Sequence, residues 1–346
     1  MKRRLLITGG AGFIGCNLTH YWVSKYPKDE IIVLDALTYA GCLNSIKNLI
    51  SDSRINFIHG DINDKRLLKR IFEKYKISHI IHLAAESHVD RSIYDPSQFI
   101  KTNIQGTFSL LESFRLYWEN NNKSKEFRFL HVSTDEVFGS LSADEKPFSE
   151  KTAYDPKSPY SSSKAASDHI AMAWQHTYGL PILLSNCSNN YGPFQFPEKL
   201  IPLTITNIIN GKKIPIYGNG ENVRDWLFVK DHCRALEEVI INGSIGRKYC
   251  IGGCNQINNI QIVNMICKFV DKFAYENDIK LPQKSSSKLI NFVRDRPGHD
   301  YRYAIDSMNI RNELGWIPEK DISDGLYITV EWYFQNQEWW KPLIDY

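Results

Sequence analysis

The sequence predicts an α/β protein: a doubly wound parallel sheet, followed by a smaller mixed α/β C-terminal unit. Two observations carry this. The first half alternates short apolar, β-branched runs with longer amphipathic ones, and the 346 residues suffice for two domains or one large one. Taken in order, Leu5-Leu6-Ile7 centres a strand expected at Arg4–Thr8, and a helical pattern runs from Phe13 to Lys25. Ile31–Asp35 and Ile55–His59 read as the next two strands, with a helix over about Asp64–Tyr75. His79–Leu83, Phe127–Ser133 and Ile182–Asn186 complete the strand series, separated by long helical patterns at Ser97–Glu119 and Pro159–Tyr178. From Tyr191 the rhythm is lost and Gly, Pro and Asn become frequent, as in Tyr217-Gly218-Asn219-Gly220. Residues 1–190 are therefore expected to form one domain and 191–346 the other, with the chain crossing between them, and Lys284–Lys288 to form a surface loop.

Composition bounds the function. At 42% hydrophobic and 23% charged the chain is globular in character, not disordered. Its 42 Lys+Arg against 39 Asp+Glu leave a formal net charge of +3, with no basic tail or stripe for nucleic acid or an anionic membrane surface. An anionic ligand must therefore be gripped locally. Seven cysteines without a CxxC pair read as reduced thiols of a cytoplasmic protein. Lys2-Arg3-Arg4 before Leu5-Leu6-Ile7 imitates a signal peptide, but Thr8-Gly9-Gly10 ends the apolar run early, and no stretch approaches the ~18 apolar residues of a membrane span.

Gly10-Ala11-Gly12-Phe13-Ile14-Gly15 follows the first strand and opens the first helix, and Asp35 ends the second strand 20 residues after Gly15. The glycines permit a tight turn and close approach to a pyrophosphate, the helix N-terminus offers unpaired N–H groups, and Asp35 can accept from ribose hydroxyls. This is the Rossmann-type fingerprint of dinucleotide binding, and the carboxylate favours NAD over NADP because it repels a 2′-phosphate. Asp61-Ile62, after the third strand, is a candidate adenine contact, although alone it reads as a helix cap.

Tyr160 and Lys164 lie four residues apart, on one face of a helix. An ammonium beside a phenol is expected to favour phenolate, as a base for a sugar or alcohol hydroxyl requires. Alone, such a pair is as readily a surface Tyr/Lys pair. Thr134-Asp135-Glu136 falls just past the fifth strand, at the carboxyl edge where such sheets hold ligands. Two adjacent acids there can act as an acid and a base on neighbouring atoms, or simply favour a helix N-terminus.

These features, with Leu83-Ala84-Ala85-Glu86-Ser87-His88-Val89-Asp90-Arg91 and Asn103-Ile104-Gln105-Gly106-Thr107, resemble the extended short-chain dehydrogenase/reductases. More narrowly, Thr134-Asp135-Glu136, Asn186-Cys187-Ser188-Asn189-Asn190-Tyr191-Gly192-Pro193, Arg224-Asp225-Trp226 and Asp295-Arg296-Pro297-Gly298-His299 resemble the dTDP-glucose 4,6-dehydratase family, over about Arg4 to Trp316. Epimerases of the same superfamily usually lack the Asp-Glu pair.

The resemblance implies that Tyr160, assisted by Lys164 and near Thr134, takes the proton of the sugar's 4-hydroxyl while hydride passes to NAD+. Glu136 is then the base at carbon 5 and Asp135 the acid on the 6-hydroxyl, so that water leaves before hydride returns to carbon 6. It implies cofactor contacts from Gly9, Gly12, Phe13, Ile14 and Gly15, from Asp35, Ala36, Leu37 and Thr38, and from Asp61 and Ile62. Leu83, Ala84, Ala85 and Ser87, then Thr102, Tyr160, Lys164 and Asn190, complete that set. Substrate contacts are implied at Ser87, Thr134, Asn189, Lys199 and Leu200, at Pro215, Ile216, Tyr217 and Arg224, at Asn259, and at Asp295, Arg296, Pro297, Gly298 and His299. Lys199, Arg224 and Arg296 suit a nucleoside diphosphate and Tyr217 a base.

Members of the family are typically homodimers, which would pair the helices at Ser97–Glu119 and Pro159–Tyr178 as a four-helix bundle. Ala36 stands where lysine is common, and Phe138 where the family has tyrosine. The ten histidines show no ligand spacing, so no metal site is expected. The readings left open are UDP-glucose in place of dTDP-glucose, a nucleotide-sugar 4-epimerase using the same Tyr160 and Lys164, and a catalytically silent NAD-binding protein.

Overall fold

A computed structural model of the chain describes residues 2–344. The first half contributes β1 (Arg4–Thr8), β2 (Glu30–Asp35), β3 (Ile55–His59), β4 (His79–His82), β5 (Arg128–Thr134) and β6 (Ile182–Cys187). After them come β7 (Asn189–Tyr191), β8 (Ile214–Tyr217), β9 (Val223–Phe228), β10 (Lys248–Ile251), β11 (Gln256–Asn258) and β12 (Ile290–Val293). The central sheet has seven strands, all parallel, in the order β10-β6-β5-β4-β1-β2-β3. Its seventh strand, β10, thus comes from far along the chain. The remaining strands form small ladders, β11-β9-β7 and β12-β8.

The early helices are α1 (Phe13–Lys25), α2 (Lys65–Tyr75), α3 (Val89–Tyr94), α4 (Ser97–Phe99), α5 (Thr107–Asn120) and α6 (Pro159–Tyr178). The later ones are α7 (Leu200–Ile209), α8 (Val229–Asn242), α9 (Asn259–Glu276), α10 (Met308–Leu314), α11 (Ile322–Gln335) and α12 (Gln337–Ile344). The long helix expected from Ser97 is real but not uniform: Ile100–Gly106, between α4 and α5, is wound as a π-helix. The short α3 was not legible as a helix in the sequence.

Alternating side chains of each parallel strand reach opposite faces, and both faces are covered, which explains why these strands read as unbroken apolar runs. Leu5 and Ile7 join Trp22 of α1 and Leu236, Val239 and Ile240 of α8 on one face. Leu6 points the other way, into Phe72 of α2, Leu110 and Phe114 of α5 and Ala171 of α6. A separate core in the second half gathers Ile201 and Ile205 of α7, Ile262 and Ile266 of α9, and Leu326 and Val330 of α11. Trp340 of α12 is fully buried, and Trp339 Nε1 donates to Ser45 Oγ at 3.0 Å, returning the end of the chain to the first half.

The strand order reverses direction between β1 and β4, and the crevice beyond their carboxyl ends is where open α/β sheets hold ligands. Lys284–Lys288 departs from a simple surface loop: Ser286 is fully buried, with its backbone N–H donating to Asp271.

Candidate active site

A cavity of about 460 Å³ opens at that crevice. Its floor is the turn from β1 to α1. Gly9 sits at φ +70°, and a Cβ there would meet the Ala84 backbone nitrogen at 2.7 Å; one on Gly15 would stand 2.2 Å from the Gly9 carbonyl oxygen. The N-cap of α1 is Gly12, which makes no side-chain cap bond. The first-turn N–H groups therefore have no side-chain partner, the condition in which a helix N-terminus receives an anion. Phe13 and Ile14 line the cavity with Gly9, Gly12 and Gly15.

Asp35 ends β2 and is 8% exposed. Its two oxygens accept from the N–H groups of Ala11 at 2.9 Å and Leu37 at 2.8 Å, so it braces the glycine loop as well as lining the cavity. Burial raises its pKa against those bonds. Ala36, Thr38, Asp61, Ile62 and Leu83 to Ala85 lie along the same wall, as do Ser87, Thr102 and Asn190; Leu37 packs against the core beside them.

The reactive end lies where β5 meets α6. α6 begins in a capping box, Ser158 and Ser161 each accepting the other's backbone N–H, with Pro159 at its start. This fixes Tyr160 in the first turn and Lys164 one turn further, both buried and both lining the cavity. The Lys164 ammonium donates to the Val132 carbonyl at 2.9 Å. Burial, then Glu136 and Cys187, push the Tyr160 phenol well above its ordinary pKa, with Thr134 opposing. The lowering expected from an adjacent lysine is not the outcome: burial and the nearby Glu136 set the balance, while the Lys164 ammonium donates to the Val132 carbonyl.

Thr134 closes β5, and Asp135 and Glu136 open a one-turn 3-10 helix behind it. The Thr134 hydroxyl donates to Asp135 Oδ1 at 3.3 Å and accepts from the Glu136 N–H at 3.3 Å. Glu136 lines the cavity, whereas Asp135, 1% exposed, lies behind it with Oδ2 unpartnered. Burial, then the neighbouring Glu136, hold the Asp135 carboxyl well above the carboxylate range. Burial also raises Glu136, but Arg296, Lys199 and Arg224 oppose it. Two adjacent carboxyls thus have different environments, the condition for separate acid and base roles.

Those three cations converge on Glu136 from the second half. Lys199 lines the cavity with Asn189, and its Nζ donates to the Ser87 carbonyl at 3.1 Å; Leu200 begins α7 beside it. Arg224, 5% exposed, donates to the carbonyls of Val223, Asp300 and Tyr301 and lies 4.3 Å over the Tyr303 ring. Arg296 bonds to Asp90 Oδ1 at 3.0 Å, and Tyr217 OH donates to Asp90 Oδ2 at 3.2 Å.

Pro215, Ile216 and Tyr217 form β8, paired with β12. Asp295 receives the His299 ring at 2.7 Å, and the Tyr217 and His299 rings stand edge to face at 6.1 Å. Pro297 and Gly298 are exposed in the same turn, and Asn259 opens α9 with its N–H on the Asn222 carbonyl. These β8, α9 and 295–299 residues lie outside the cavity that holds the glycine loop.

The model of the GDP-mannose 4,6 dehydratase family matches residues 6–329. The chain is 51% identical over 345 residues to a probable dTDP-glucose 4,6-dehydratase of Sinorhizobium fredii, covering 99% of this chain and 96% of that relative. This chain belongs to the dTDP-glucose 4,6-dehydratase family. Solved structures of family members superpose closely: that from Bacillus anthracis, in complex with NAD, has a TM-score of 0.87 at 42% identity, covering 99% of each chain. The Streptomyces venezuelae member has a TM-score of 0.89 at 42% identity, covering 98% of this chain and 99% of that one.

Among residues the family resemblance did not name for the site, Tyr39, Cys187, Gln195 and Glu198 also line the cavity. Glu198 lies 3.5 Å from His88 Nε2 and 3.7 Å from Arg91 Nε. Nothing in the sequence separates it from a surface acid except the adjacent Lys199. Phe138, unusual for the family, stacks on Phe148 at 5.1 Å and meets Tyr154 edge-on at 5.2 Å, so it serves local packing. Ala36 places only a methyl on the cavity wall, and its carbonyl pairs with the His59 ring at 3.1 Å. Among the described residues no cluster of three His, Cys, Asp or Glu is placed to hold a metal, and no helix is long and apolar enough to cross a membrane.

Proposed function

We propose that the protein converts dTDP-glucose to dTDP-4-keto-6-deoxyglucose and water, as an NAD-dependent 4,6-dehydratase. The observation that carries this is the adjacent Asp135-Glu136 pair, Asp135 buried and Glu136 on the cavity wall, at the carboxyl edge of the sheet and next to Tyr160, with three cations acting on Glu136. A fold that bound only a dinucleotide would need neither the pair nor the cations. NAD, when bound, would supply the hydride acceptor for sugar carbon 4 and the hydride donor for carbon 6, a return completed by a proton at carbon 5.

The chain's own residues do the rest. The glycine loop and the open N-terminus of α1 receive the pyrophosphate, and Asp35 stands at the adenosine ribose. Tyr160 accepts the proton of the 4-hydroxyl, with the Lys164 ammonium held beneath it. The resulting 4-ketone acidifies carbon 5. Glu136 removes that proton, and Asp135, kept protonated by burial, gives its proton to the departing 6-hydroxyl, so that a C5–C6 double bond and one water form. Lys199, Arg224 and Arg296 neutralise the diphosphate and Tyr217 faces the base.

An epimerase would use Tyr160 and Lys164 but has no task for the two acids. Incubation with dTDP-glucose and, separately, UDP-glucose in deuterated water tests the reading. The expected result is loss of one water by mass and deuterium at carbon 5, with dTDP-glucose the better substrate. Sugar recovered at unchanged mass without label would exclude dehydration.

The same reading includes a cytoplasmic homodimer. Leu116 on α5 and Tyr178 on α6 are 50% and 41% exposed, apolar surface on the two long helices expected to pair. All seven cysteines are free, which suits a reducing compartment.

A further inference from the structure

Beneath Lys164 lies a buried polar cluster that the chemistry above does not use. Asp168, one turn further along α6, is 1% exposed. Its Oδ1 accepts from His131 Nε2 at 3.0 Å, and its Oδ2 accepts from Tyr154 OH at 2.9 Å and Asn186 Nδ2 at 3.2 Å. Strands β5 and β6, helix α6 and the loop before α6 therefore meet on one carboxylate. The same Asn186 amide also donates to the Thr134 carbonyl at 3.0 Å, so a single side chain links the carboxylate to the backbone of the reactive segment.

Lys164 needs such a group. It is 5% exposed, and its hydrogen bond goes to a neutral acceptor, the Val132 carbonyl. A buried ammonium without an anion nearby is costly and tends to lose its proton. Burial lowers the Lys164 pKa, and Asp168 is the leading influence against that. Burial works on Asp168 the other way, but His131 and Lys164 more than offset it, so the carboxyl titrates below its ordinary value.

The other groups around the pair carry no negative charge at neutral pH. The Cys187 thiol, from β6, is pushed up to about 12 by burial. The rings of His82 on β4 and His131 on β5 are pushed down, chiefly by burial. The phenols of Tyr154 and Tyr160 are raised, again chiefly by burial.

We propose that Asp168 is a positioning residue for the oxidation step: its carboxylate keeps the Lys164 ammonium charged beneath Tyr160 and, through Asn186, fixes the Thr134 end of β5. The proposal rests on the dehydratase reading. Asp168→Asn keeps the shape and removes the charge, whereas Tyr154→Phe removes one hydrogen bond and keeps it.

In Asp168→Asn the expected result is a kcat at least about tenfold lower, a KM within about threefold of wild type, and an alkaline limb of kcat displaced about one unit toward lower pH. Tyr154→Phe is expected to keep the wild-type limb. A uniform loss of kcat at every pH in Asp168→Asn, or an unchanged profile, overturns the proposal.

A second measurement serves if Asp168→Asn fails to fold, or if the wild type does not turn over dTDP-glucose, which is a failure of the dehydratase reading instead. In protein labelled with 13C at the aspartate carboxyls, the Asp168 signal is assigned by its response to Tyr154→Phe. It should stay ionised to below the ordinary aspartate value, and Lys164→Met should raise its midpoint. A midpoint that Lys164→Met leaves in place overturns the proposal.

Discussion

Tyr160 and Lys164 sit on successive turns of α6, and burial drives their proton affinities in opposite directions, the phenol up and the ammonium down. Both shifts favour uncharged groups, so the phenol needs nearby positive charge before it can act as a base. Removing its oxygen should be severe: in Tyr160→Phe, kcat for release of water is expected to fall by roughly 10²–10⁴-fold with KM little changed, measured by mass-resolved initial rates. The acids predict a pH dependence. Glu136 must be ionised to take the carbon 5 proton, and its folded pKa lies above the ordinary glutamate value of 4.5. Acidification therefore protonates this base sooner than a free glutamate, and kcat should fall below a midpoint above 4.5; a profile flat through that range would remove Glu136 from the role. Gly15 tolerates no side chain, since a Cβ would lie 2.2 Å from the Gly9 carbonyl oxygen. Gly15→Ala is expected to weaken NAD binding by more than about tenfold, read by fluorescence titration.

The capping box of α6 holds the reactive turn in place. Ser158→Ala removes the acceptor for the Ser161 N–H and should lower stability by about 1 kcal/mol, seen as a shift of the denaturant midpoint at constant slope. Elements whose cause is local were readable from the sequence. β1, β3, α1 and α6 begin and end where their apolar runs and punctuating residues place them, and Asp64 stands as the cap of α2, accepting from the N–H groups of Arg66 and Leu67. Elements whose cause is tertiary were not. The π-helix at Ile100–Gly106 accompanies Asn103, whose amide pairs with the Glu86 backbone and with Ser163 Oγ at 2.8 Å, partners far away in sequence. The site shows the same division. The glycine loop, Asp35 and the Tyr160 helix were legible because one segment carries each. The parking of Arg296 and Tyr217 on Asp90, and the burial that raises Tyr160, depend on distant segments that meet only after folding.

At the scale of the molecule, the two halves of the chain share the central sheet. If α5 and α6 form the dimer face, Leu116→Glu combined with Tyr178→Glu should place charge in an apolar contact and yield monomers by sedimentation velocity, with the monomer still folded by circular dichroism. A sedimentation coefficient unchanged by both substitutions would locate any dimer contact elsewhere. The position of β10 bears on how such an enzyme can diversify. This strand, residues 248–251, lies against β6, and α8 covers the same face of the sheet as α1. Recombination at residue 190 would therefore not exchange one sugar specificity for another. It would set a foreign β10 against β6 and a foreign α8 against Leu5 and Ile7, so a well-packed chimera has to carry 229–251 with its own sheet. New substrate preferences in this architecture must arise through substitutions within a shared frame, not by trading whole modules.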